Sequence, residues 1–411
     1  MIFLSTTIRA DFPGLAQAGI YLDNAATTHK PQLVLDAEKS FYQNFTANPY
    51  RAQHRAGRKA TQLYETSRGI VADYLGADVN EVIFTRNTTE GINLLAYSWG
   101  LKNLGPDDRI VLPIYEHHSN LVPWQMVSQQ TGAELCFMYP NEDGLITSEE
   151  IARVVTANTA LIGCAHISNV YGTASPVEAL VQAAQAVGAR VFLDCAQSVA
   201  HMPLNLHELG VDAAALSGHK VYGPMGIGVL YVRRGLLEGL EPFLLGGEMI
   251  DQVYEQSASF LQGPRRFEAG TPPVPGAYGL AHALDYLYQI GWDRIAQTER
   301  ELLIQLLEGL NDMEGVQIIG SPQACKRAGC LVSFTYSPLN TQDVAYDLDL
   351  GGVAIRAGAQ CAQPLHRYLG LEASLRISPC LYNTADEIDR CLQLLREAPR
   401  RISRRMISSL P

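Results

Sequence analysis

The stretch Ser217-Gly218-His219-Lys220-Val221-Tyr222-Gly223-Pro224 follows a mostly apolar segment, Val211 to Leu216, and places one lysine between small residues. The apolar segment predicts a strand, and the glycines predict a tight turn directly after it. A lysine that is partly desolvated near anionic oxygens loses its proton and forms a Schiff base with an aldehyde. An isolated Gly-x-Lys turn more often lies on the surface. The interpretation of Lys220 therefore depends on the rest of the chain.

A second stretch, residues 189 to 197, reads as a buried parallel strand that ends on a carboxylate, Asp194. In an open α/β sheet, ligands bind at the carboxyl ends of the strands. Pyridoxal 5'-phosphate (PLP) is an aldehyde that acts as an electron sink while its pyridine nitrogen stays protonated, and a buried aspartate keeps it so. Read alone, an aspartate here is equally a helix cap or a turn residue. The segment between Asp194 and Lys220 has room for one more strand, so we expect both side chains in one crevice.

A third stretch, beginning Val82-Ile83-Phe84-Thr85, predicts a strand that leads into a helix. Asn87 and Glu90 have the spacing of a capping box at the start of that helix. Its free backbone N–H groups, with the hydroxyls of Thr88 and Thr89, suit an anion such as the PLP phosphate. Most threonine-rich helix starts bind nothing, but Ser217 and His219 flank the lysine and complete a phosphate cup.

Two further polar groups follow predicted strands. His117 comes after the strand 109–114, and an imidazole there can stack on the PLP ring and transfer protons. Its alternative is a structural histidine. Asn169 ends the strand 160–168, and its alternative is a turn residue. Both are therefore expected at the carboxyl edge of the same sheet.

Cys361 follows a glycine-bearing loop, residues 357–360, and has Arg356 and Arg376 among its expected neighbours. Nearby positive charge favours the reactive thiolate. Its alternative is an inert loop thiol. The chain has no Cys-x-x-Cys pair, and its histidine and cysteine spacings predict no metal site. Seven other cysteines lie mostly in apolar stretches and are expected in the core: Cys136, Cys164, Cys195, Cys325, Cys330, Cys380 and Cys391.

Ordered motifs of this kind run through nearly the whole chain. The motifs are 10–13 (ADFP), 21–28 (YLDNAATT), 116–120 (EHHSN), 168–170 (SNV), 194–197 (DCAQ), 217–220 (SGHK), 266–272 (RFEAGTP), 356–365 (RAGAQCAQPL) and 375–378 (LRIS). With these motifs the chain resembles the class V (aminotransferase-fold) PLP enzymes, and specifically the cysteine desulfurases of the group that includes the Suf-type and selenocysteine-lyase-like enzymes. Ala359-Gln360 and Tyr50 stand where that group often has histidines.

The resemblance implies a role for each site residue. Lys220, Cys361 and His117 are the expected catalytic residues, with His117 stacked on the ring. The expected cofactor contacts are Asp194 at the pyridine nitrogen, Gln197 at the phenolic oxygen, Thr88, Thr89, Ser217 and His219 at the phosphate, Thr271 from a second subunit, and Asn169. The expected substrate contacts are Asn169, Arg356, Arg376, whose guanidinium fork matches a carboxylate, and Arg51 across the dimer.

The activity that the resemblance implies is conversion of L-cysteine to L-alanine, with a persulfide left on Cys361 for a Suf-type acceptor protein in iron–sulfur cluster assembly. Selenocysteine is a possible second substrate, and the expected assembly is a homodimer. Three alternatives stay open at this point. A class V aminotransferase or a PLP-dependent C–S lyase would not use Cys361. A protein that keeps the fold without enzymatic activity would bind no PLP.

The resemblance also implies the fold class: α/β, the PLP-dependent transferase (aspartate aminotransferase-like) fold. Alternating strand and helix patterns over residues 80–235 independently predict a mostly parallel sheet. Past residue 317, strands near 330–336 and 353–356 and helices at 343–350 and 385–397 predict a smaller α+β domain. We expect an N-terminal segment, 1–20, packing with the small domain, a large PLP-binding domain, 21–290, and a small domain, 291–411. Residues 246–271 are predicted to form a long loop at the dimer contact.

Composition agrees with this interpretation. The 411 residues are 47% hydrophobic and 18% charged, and the net charge of -11 argues against nucleic acid as a partner. No basic, apolar leader begins the sequence, and no apolar run reaches membrane-spanning length, so we expect a cytoplasmic protein without a membrane partner. The C-terminal arginines, Arg400-Arg401 and Arg404-Arg405, are expected to form a solvated helix end.

Overall fold

The computed structural model describes residues 8–328 and 331–408. Its strands are β1 (Ile20–Tyr21), β2 (Val82–Thr85), β3 (Arg109–Pro113), β4 (Glu134–Met138), β5 (Thr159–Ala165), β6 (Arg190–Asp194), β7 (Ala213–Ser217), β8 (Gly228–Val232), β9 (Ile250–Val253), β10 (Ala258–Phe260), β11 (Val316–Ile318), β12 (Val332–Tyr336), β13 (Val353–Ala354), β14 (Arg356–Gly358) and β15 (Ser374–Ile377).

The α-helices are α1 (Leu15–Ala18), α2 (Gln32–Ser40), α3 (Arg55–Leu75), α4 (Thr88–Leu95), α5 (Leu101–Asn103), α6 (Val122–Thr131), α7 (Ser148–Val154), α8 (Val177–Val187), α9 (Leu206–Leu209), α10 (Arg234–Leu237), α11 (Val274–Ile290), α12 (Trp292–Asn311), α13 (Pro322–Ala328), α14 (Thr341–Leu350), α15 (Gln363–Tyr368) and α16 (Ala385–Ser408).

Seven strands form the large sheet, in the order β2, β8, β7, β6, β5, β3, β4. Five of them, β7, β6, β5, β3 and β4, run parallel, whereas β8 is antiparallel to both of its neighbours. Every residue of β7 is buried, and so are the last four residues of β6. Burial on both faces explains why these strands are continuous apolar runs rather than alternating patterns. The predicted mostly parallel sheet is confirmed.

The carboxyl ends of the parallel strands meet at one edge of this sheet. β5 runs beside β6, with Ala165 opposite Asp194, and β6 runs beside β7. The turn Gly218–Lys220 follows β7 directly. The polar groups predicted to follow separate strands are therefore neighbours in space.

The C-terminal part of the chain has its own antiparallel sheet, in the order β11, β12, β15, β14. Helices α12, α14 and α16 contribute Leu303, Leu348 and Leu395 to the apolar cluster of this part, and all three are fully buried. The short strand β1 pairs with β13, which connects the N-terminal segment to this region. The ring of Phe12 lies 5.9 Å from that of Tyr286 and 4.7 Å from that of Tyr382. The domain bounds 1–20, 21–290 and 291–411 stay a prediction.

Two predicted elements differ from the structure. Residues 353–356 are not one strand, because β13 pairs with β1 and β14 pairs with β15, so the chain changes partner between them. Residues 246–271 are not a plain loop but contain the hairpin of β9 and β10. Most hairpin residues are exposed, so no apolar alternation marks it in the sequence. Cys330, predicted to begin a strand, lies outside the described residues. Among the residues that are described, no helix is both long and apolar enough to span a bilayer.

Candidate active site

One cavity of about 260 Å³ at the carboxyl edge of the large sheet brings together most of the predicted site residues. Lys220, from the turn after β7, and Cys361, from the loop after β14, both line it. The other predicted residues in its lining are Thr88, Thr89, His117, Asn169, Asp194, Gln197, Ser217, His219, Arg356 and Arg376.

The turn that carries Lys220 is held by a side chain from far earlier in the sequence. The buried hydroxyl of Thr28 donates to the carbonyl oxygen of His219 at 3.1 Å and accepts the backbone N–H of Tyr222 at 3.0 Å. The N–H of Thr28 donates to the same carbonyl at 3.0 Å. Tyr222 has a φ of 63°, a left-handed conformation that non-glycine residues seldom adopt. Thr28 thus closes the turn on both sides of the lysine.

Electrostatics in the cavity favour a reactive amine. Burial lowers the pKa of Lys220, and the nearby carboxylate of Asp194 opposes that shift only in part. Burial likewise raises the pKa of Asp194, although the N–H of Ala196 donates to its Oδ1 at 2.8 Å. A cation against Asp194 would favour its ionised form. A lowered pKa favours the neutral form of the Lys220 amine, which attack on an aldehyde requires.

His117 is an uncharged imidazole in this site. Burial, followed by the charge of Lys220, lowers its pKa to about 3. The backbone N–H of Ser119 donates to Nδ1 of His117 at 3.1 Å, which assigns the ring proton to Nε2. A neutral ring with a fixed orientation can stack on a planar cofactor and present one N–H.

The predicted phosphate cup begins where α4 begins. The side chain of Asn87 accepts the N–H of Glu90 at 3.0 Å, as the capping pattern predicts. The carboxylate of Glu90 accepts the N–H of Arg86, not that of Asn87, so the reciprocal half of the expected capping box is missing. At the start of α4 the N–H of Glu90 is therefore capped, and the N–H of Gly91 donates to the carbonyl of Asn87 at 3.2 Å.

Hydroxyl groups surround this helix start. Ser217 Oγ accepts the N–H of Thr88 at 2.9 Å and lies 2.7 Å from its hydroxyl. The hydroxyls of Thr89 and Ser119 lie 2.6 Å apart, and Ser119 Oγ lies 3.0 Å from Nδ1 of His117. A helix start with several hydroxyl donors is a suitable anion site.

The two arginines of the site are cross-strand neighbours, since Arg356 on β14 pairs in register with Arg376 on β15. One carboxylate, that of Asp23, lies 3.2 Å from each guanidinium. Arg376 is almost fully buried and also donates to the backbone carbonyl of Asn169 at 3.1 Å. Both guanidinium groups therefore pair with the same carboxylate, that of Asp23.

The loop that carries Cys361 is attached to the large sheet. Nδ2 of Asn169 donates to the carbonyl of Gln360 at 2.6 Å, and the N–H of His118 donates to the carbonyl of Cys361 at 2.9 Å. Cys361 itself is exposed. The structure thus places an accessible thiol at the cavity and connects its loop to a predicted substrate-binding residue.

Two predicted site residues do not line the cavity. Thr271 is exposed, and Arg51 is half exposed, with its Nε 3.4 Å from Glu248. Both were expected to act from a second subunit, so their roles stay a prediction.

Sequence reasoning assigned no role to three residues that the structure places in or beside the site: Asp23, Ser119 and Gln360. Ser119 had a local signal, because a serine two positions after a histidine can fix its tautomer. Asp23 had none, since its arginine partners lie more than three hundred positions later. Gln360 was noted only as a departure from the family pattern.

PLP has an aldehyde, a pyridine nitrogen and a phosphate, and the cavity offers a chemical partner for each. Lys220 would hold the aldehyde carbon, Asp194 the pyridine nitrogen, and the hydroxyl-lined start of α4 the phosphate. Across residues 8–328 and 331–408, no group of three or more His, Cys, Asp or Glu side chains is placed to hold a metal ion. A lysine turn and a strand-end aspartate on this sheet define a PLP-dependent enzyme.

Comparison with known proteins gives the family. The aminotransferase class-V profile matches residues 20–391, so the chain belongs to this family. A probable cysteine desulfurase of Halobacterium salinarum is 42% identical over 398 residues, which cover 95% of each chain.

Solved structures agree. The apo structure of the cysteine desulfurase from Thermococcus onnurineus is 38% identical with a TM-score of 0.92, covering 95% of this chain and 97% of that one. The Escherichia coli cysteine desulfurase CsdA, in an S-sulfonic acid form, is 35% identical with a TM-score of 0.90, covering 97% and 99%. The predicted family, fold class and PLP cofactor are confirmed.

Proposed function

We propose that this protein is a PLP-dependent cysteine desulfurase that converts L-cysteine to L-alanine and keeps the sulfur as a persulfide on Cys361. The observation that carries the proposal is that Lys220 and Cys361, from separate parts of the fold, line one cavity. The relatives at 35–42% identity over most of the chain are named for the same activity.

Each residue has a task that its surroundings support. Arg376 binds the carboxylate of the substrate through its guanidinium fork, with Arg356 and Asn169 beside it. Lys220, whose pKa is lowered by burial, accepts the proton from Cα of the substrate at Nζ. Bound PLP supplies the electron sink for the pair that this bond leaves behind, and Asp194 holds its pyridine nitrogen.

Sulfur transfer is then a displacement at the sulfur of the substrate. Sγ of Cys361 attacks as a thiolate, so an S–S bond forms while the C–S bond breaks. The electron pair of the C–S bond passes to the carbon that becomes the methyl group of alanine, which gains a proton. His117, with its proton on Nε2, lies in the same cavity and supplies a proton path. The products balance as alanine and one persulfide.

The assembly that we propose is a homodimer in which Arg51 and Thr271 reach the cavity of the partner copy. Both residues lie outside the cavity of their own chain, and Thr271 follows Glu268, whose side chain is anchored in the core by Arg68. We also propose that the enzyme is cytoplasmic. We further propose that it passes its persulfide sulfur to a Suf-type acceptor protein, because the exposed Cys361 lies on a short loop held against the sheet. L-Selenocysteine is the second substrate that we propose.

Mass spectrometry tests the proposed function directly. The PLP-loaded protein, identified by its absorbance at about 420 nm, is incubated with L-cysteine. We expect alanine and an adduct of about 32 Da, the mass of one sulfur atom, on the peptide that carries Cys361. Cys361→Ala should abolish both, whereas Cys136→Ala, at another partly exposed thiol, should change neither.

Two results would contradict the proposal. Sulfide release that persists in Cys361→Ala would identify a direct C–S lyase. Transamination of amino acids without sulfur release would identify an aminotransferase.

A further inference from the structure

The loop before Cys361 has an unusual backbone. Gln360 and Cys361 are consecutive non-glycine residues with φ of 50° and 56°. Side chains seldom adopt this left-handed region, and two in succession persist only where the surroundings fix them. The N–H of Ala362 donates to the carbonyl of Ala359 at 2.8 Å, so the loop is a tight turn between β14 and α15.

The side chain of Gln360 closes this turn from inside. Gln360 is only 5% exposed, although the adjacent Cys361 is exposed. Its Nε2 donates to the carbonyls of Gly358 and Ser374, each at 3.2 Å. Because both partners are carbonyl oxygens, only the nitrogen of the amide can face them. Gly358 and Ser374 are register partners on β14 and β15, so the amide connects the ends of both strands to the loop.

The outer side of the turn is attached to the large sheet. The carbonyl of Gln360 accepts Nδ2 of Asn169 at 2.6 Å, and the carbonyl of Cys361 accepts the N–H of His118 at 2.9 Å. Asn169 and His118 come from loops after two strands of the large sheet, whereas the amide partners belong to the small sheet. Gln360 therefore contacts both parts of the protein, with its side chain on one and its carbonyl on the other.

We propose that Gln360 is a positioning residue for Cys361. Its amide keeps residues 358–361 in the left-handed turn and so keeps the thiol at the cavity, where a displacement of about 1 Å costs about a hundredfold in rate. This inference rests on the proposed function. Gln360 touches no reacting atom in the scheme above, so its loss should slow sulfur transfer without changing cofactor or substrate binding.

The test compares Gln360→Met, which keeps the length of the side chain but has no donor, with Gln360→Gly, which adopts the left-handed backbone freely. Gln393→Met, at an exposed glutamine of α16, is the matched control. Three quantities are measured on the PLP-loaded protein: kcat and KM for persulfide formation, the cofactor absorbance, and amide hydrogen exchange in the peptide around residues 358–365.

We expect kcat to fall about tenfold in both Gln360 variants, since two hydrogen bonds are lost, while KM and the cofactor absorbance stay as in the wild type. Exchange at residues 358–365 should rise by about the same factor, and the control should match the wild type. Unchanged exchange and kcat in Gln360→Met would overturn the inference. So would a wild-type kcat in Gln360→Gly, because the amide would then be dispensable.

The outcomes also separate this inference from the proposed function. If the wild type forms no persulfide on Cys361, the proposed function fails. If the wild type forms it and the variants form it equally fast, only the role of Gln360 fails. Should Gln360→Met not fold, Gln360→Gly carries the same comparison.

Discussion

A buried ion pair anchors the segment that leads to Thr271, and its removal should destabilise the whole protein. The guanidinium of Arg68, on α3, meets the carboxylate of Glu268 through two parallel contacts of 2.7 and 2.8 Å. Both side chains are nearly fully buried, 3% and 6% exposed. The carboxylate also accepts the N–H of Phe84 at 2.7 Å and the hydroxyl of Tyr64 at 3.1 Å. The carboxylate of Glu268 therefore accepts four hydrogen bonds and neutralises the charge of Arg68.

The variant Glu268→Gln removes the charge and keeps the shape. Loss of one partner from a buried ion pair costs about 3–5 kcal/mol. After this change the buried guanidinium of Arg68 keeps the carboxylate of Glu65, which is 40% exposed and 3.1 Å away, as its counter-charge. Unfolding entropy of about 2 cal/mol/K per residue converts that cost, for a chain of 411 residues, into a fall in Tm of about 4–6 °C. Calorimetry of the wild type and the variant at one pH measures it.

A surface pair is the matched control. Arg109 and Glu134 approach to 2.6 Å, but Glu134 is 59% exposed. Glu134→Gln should change Tm by about 1 °C or less, since water screens this pair. The double variant Arg68→Met/Glu268→Gln should recover more than half of the loss, because it leaves no buried charge. A fall in Glu268→Gln as small as in the control would refute the reasoning.

Three further variants test the pH dependence of stability, the binding of the substrate and the binding of the cofactor. Burial lowers the pKa of His166 to about 4, below the value of about 6.5 for a histidine in the unfolded chain. As the pH falls from 6.5 towards 4, the unfolded chain binds a proton that the folded protein excludes, so the free energy of unfolding falls by about 1.4 kcal/mol per pH unit. His166→Asn should therefore make the decline of Tm in that window shallower, and an unchanged slope would contradict this. Arg376→Lys should raise KM for L-cysteine about tenfold or more without altering the cofactor absorbance, because an ammonium cannot replace the bidentate fork; an unchanged KM would place the carboxylate elsewhere. Ser217→Ala should weaken PLP about tenfold in a fluorescence titration, since Thr88 loses a hydroxyl partner at 2.7 Å; unaltered affinity would remove Ser217 from the phosphate cup.

Elements with a strong local pattern were predictable from the sequence. The helix predicted over 343–350 lies within α14 (Thr341–Leu350), and the strand predicted over 109–114 is β3 (Arg109–Pro113). Their apolar periodicity comes from burial against the sheet or within it. Residues 213–217 form the strand expected before the lysine turn. Because polar groups follow such strands, most of the site could be placed at one sheet edge before the structure was known.

Contacts between distant segments were not predictable in this way. The C-terminal arginines were expected to be solvated, but Arg401 and Arg405 both pair with Asp347, whose side chain is fully buried. That expectation was wrong for Arg401 and Arg405, because an aspartate of α14 lies more than fifty positions earlier and gives no local signal, whereas Arg400 and Arg404 are exposed as expected. The carboxylate of Asp23 between Arg356 and Arg376 is a similar case. A pattern within one segment indicates which of its own residues are buried, but it does not identify the distant residues with which they pair.

The position of Thr28 in the sequence limits how far the chain can be shortened from its N-terminal side. This hydroxyl closes the turn of Lys220 from a segment almost two hundred positions upstream, because it donates to the carbonyl of His219. The ammonium group of Lys30 donates to the same carbonyl at 3.1 Å. The geometry of the turn that carries Lys220 thus depends on Thr28 and Lys30 as well as on the large sheet. Shortened versions that begin beyond residue 30 would keep every strand of the large sheet but would lose Thr28 and Lys30, and we expect them to bind the coenzyme more weakly.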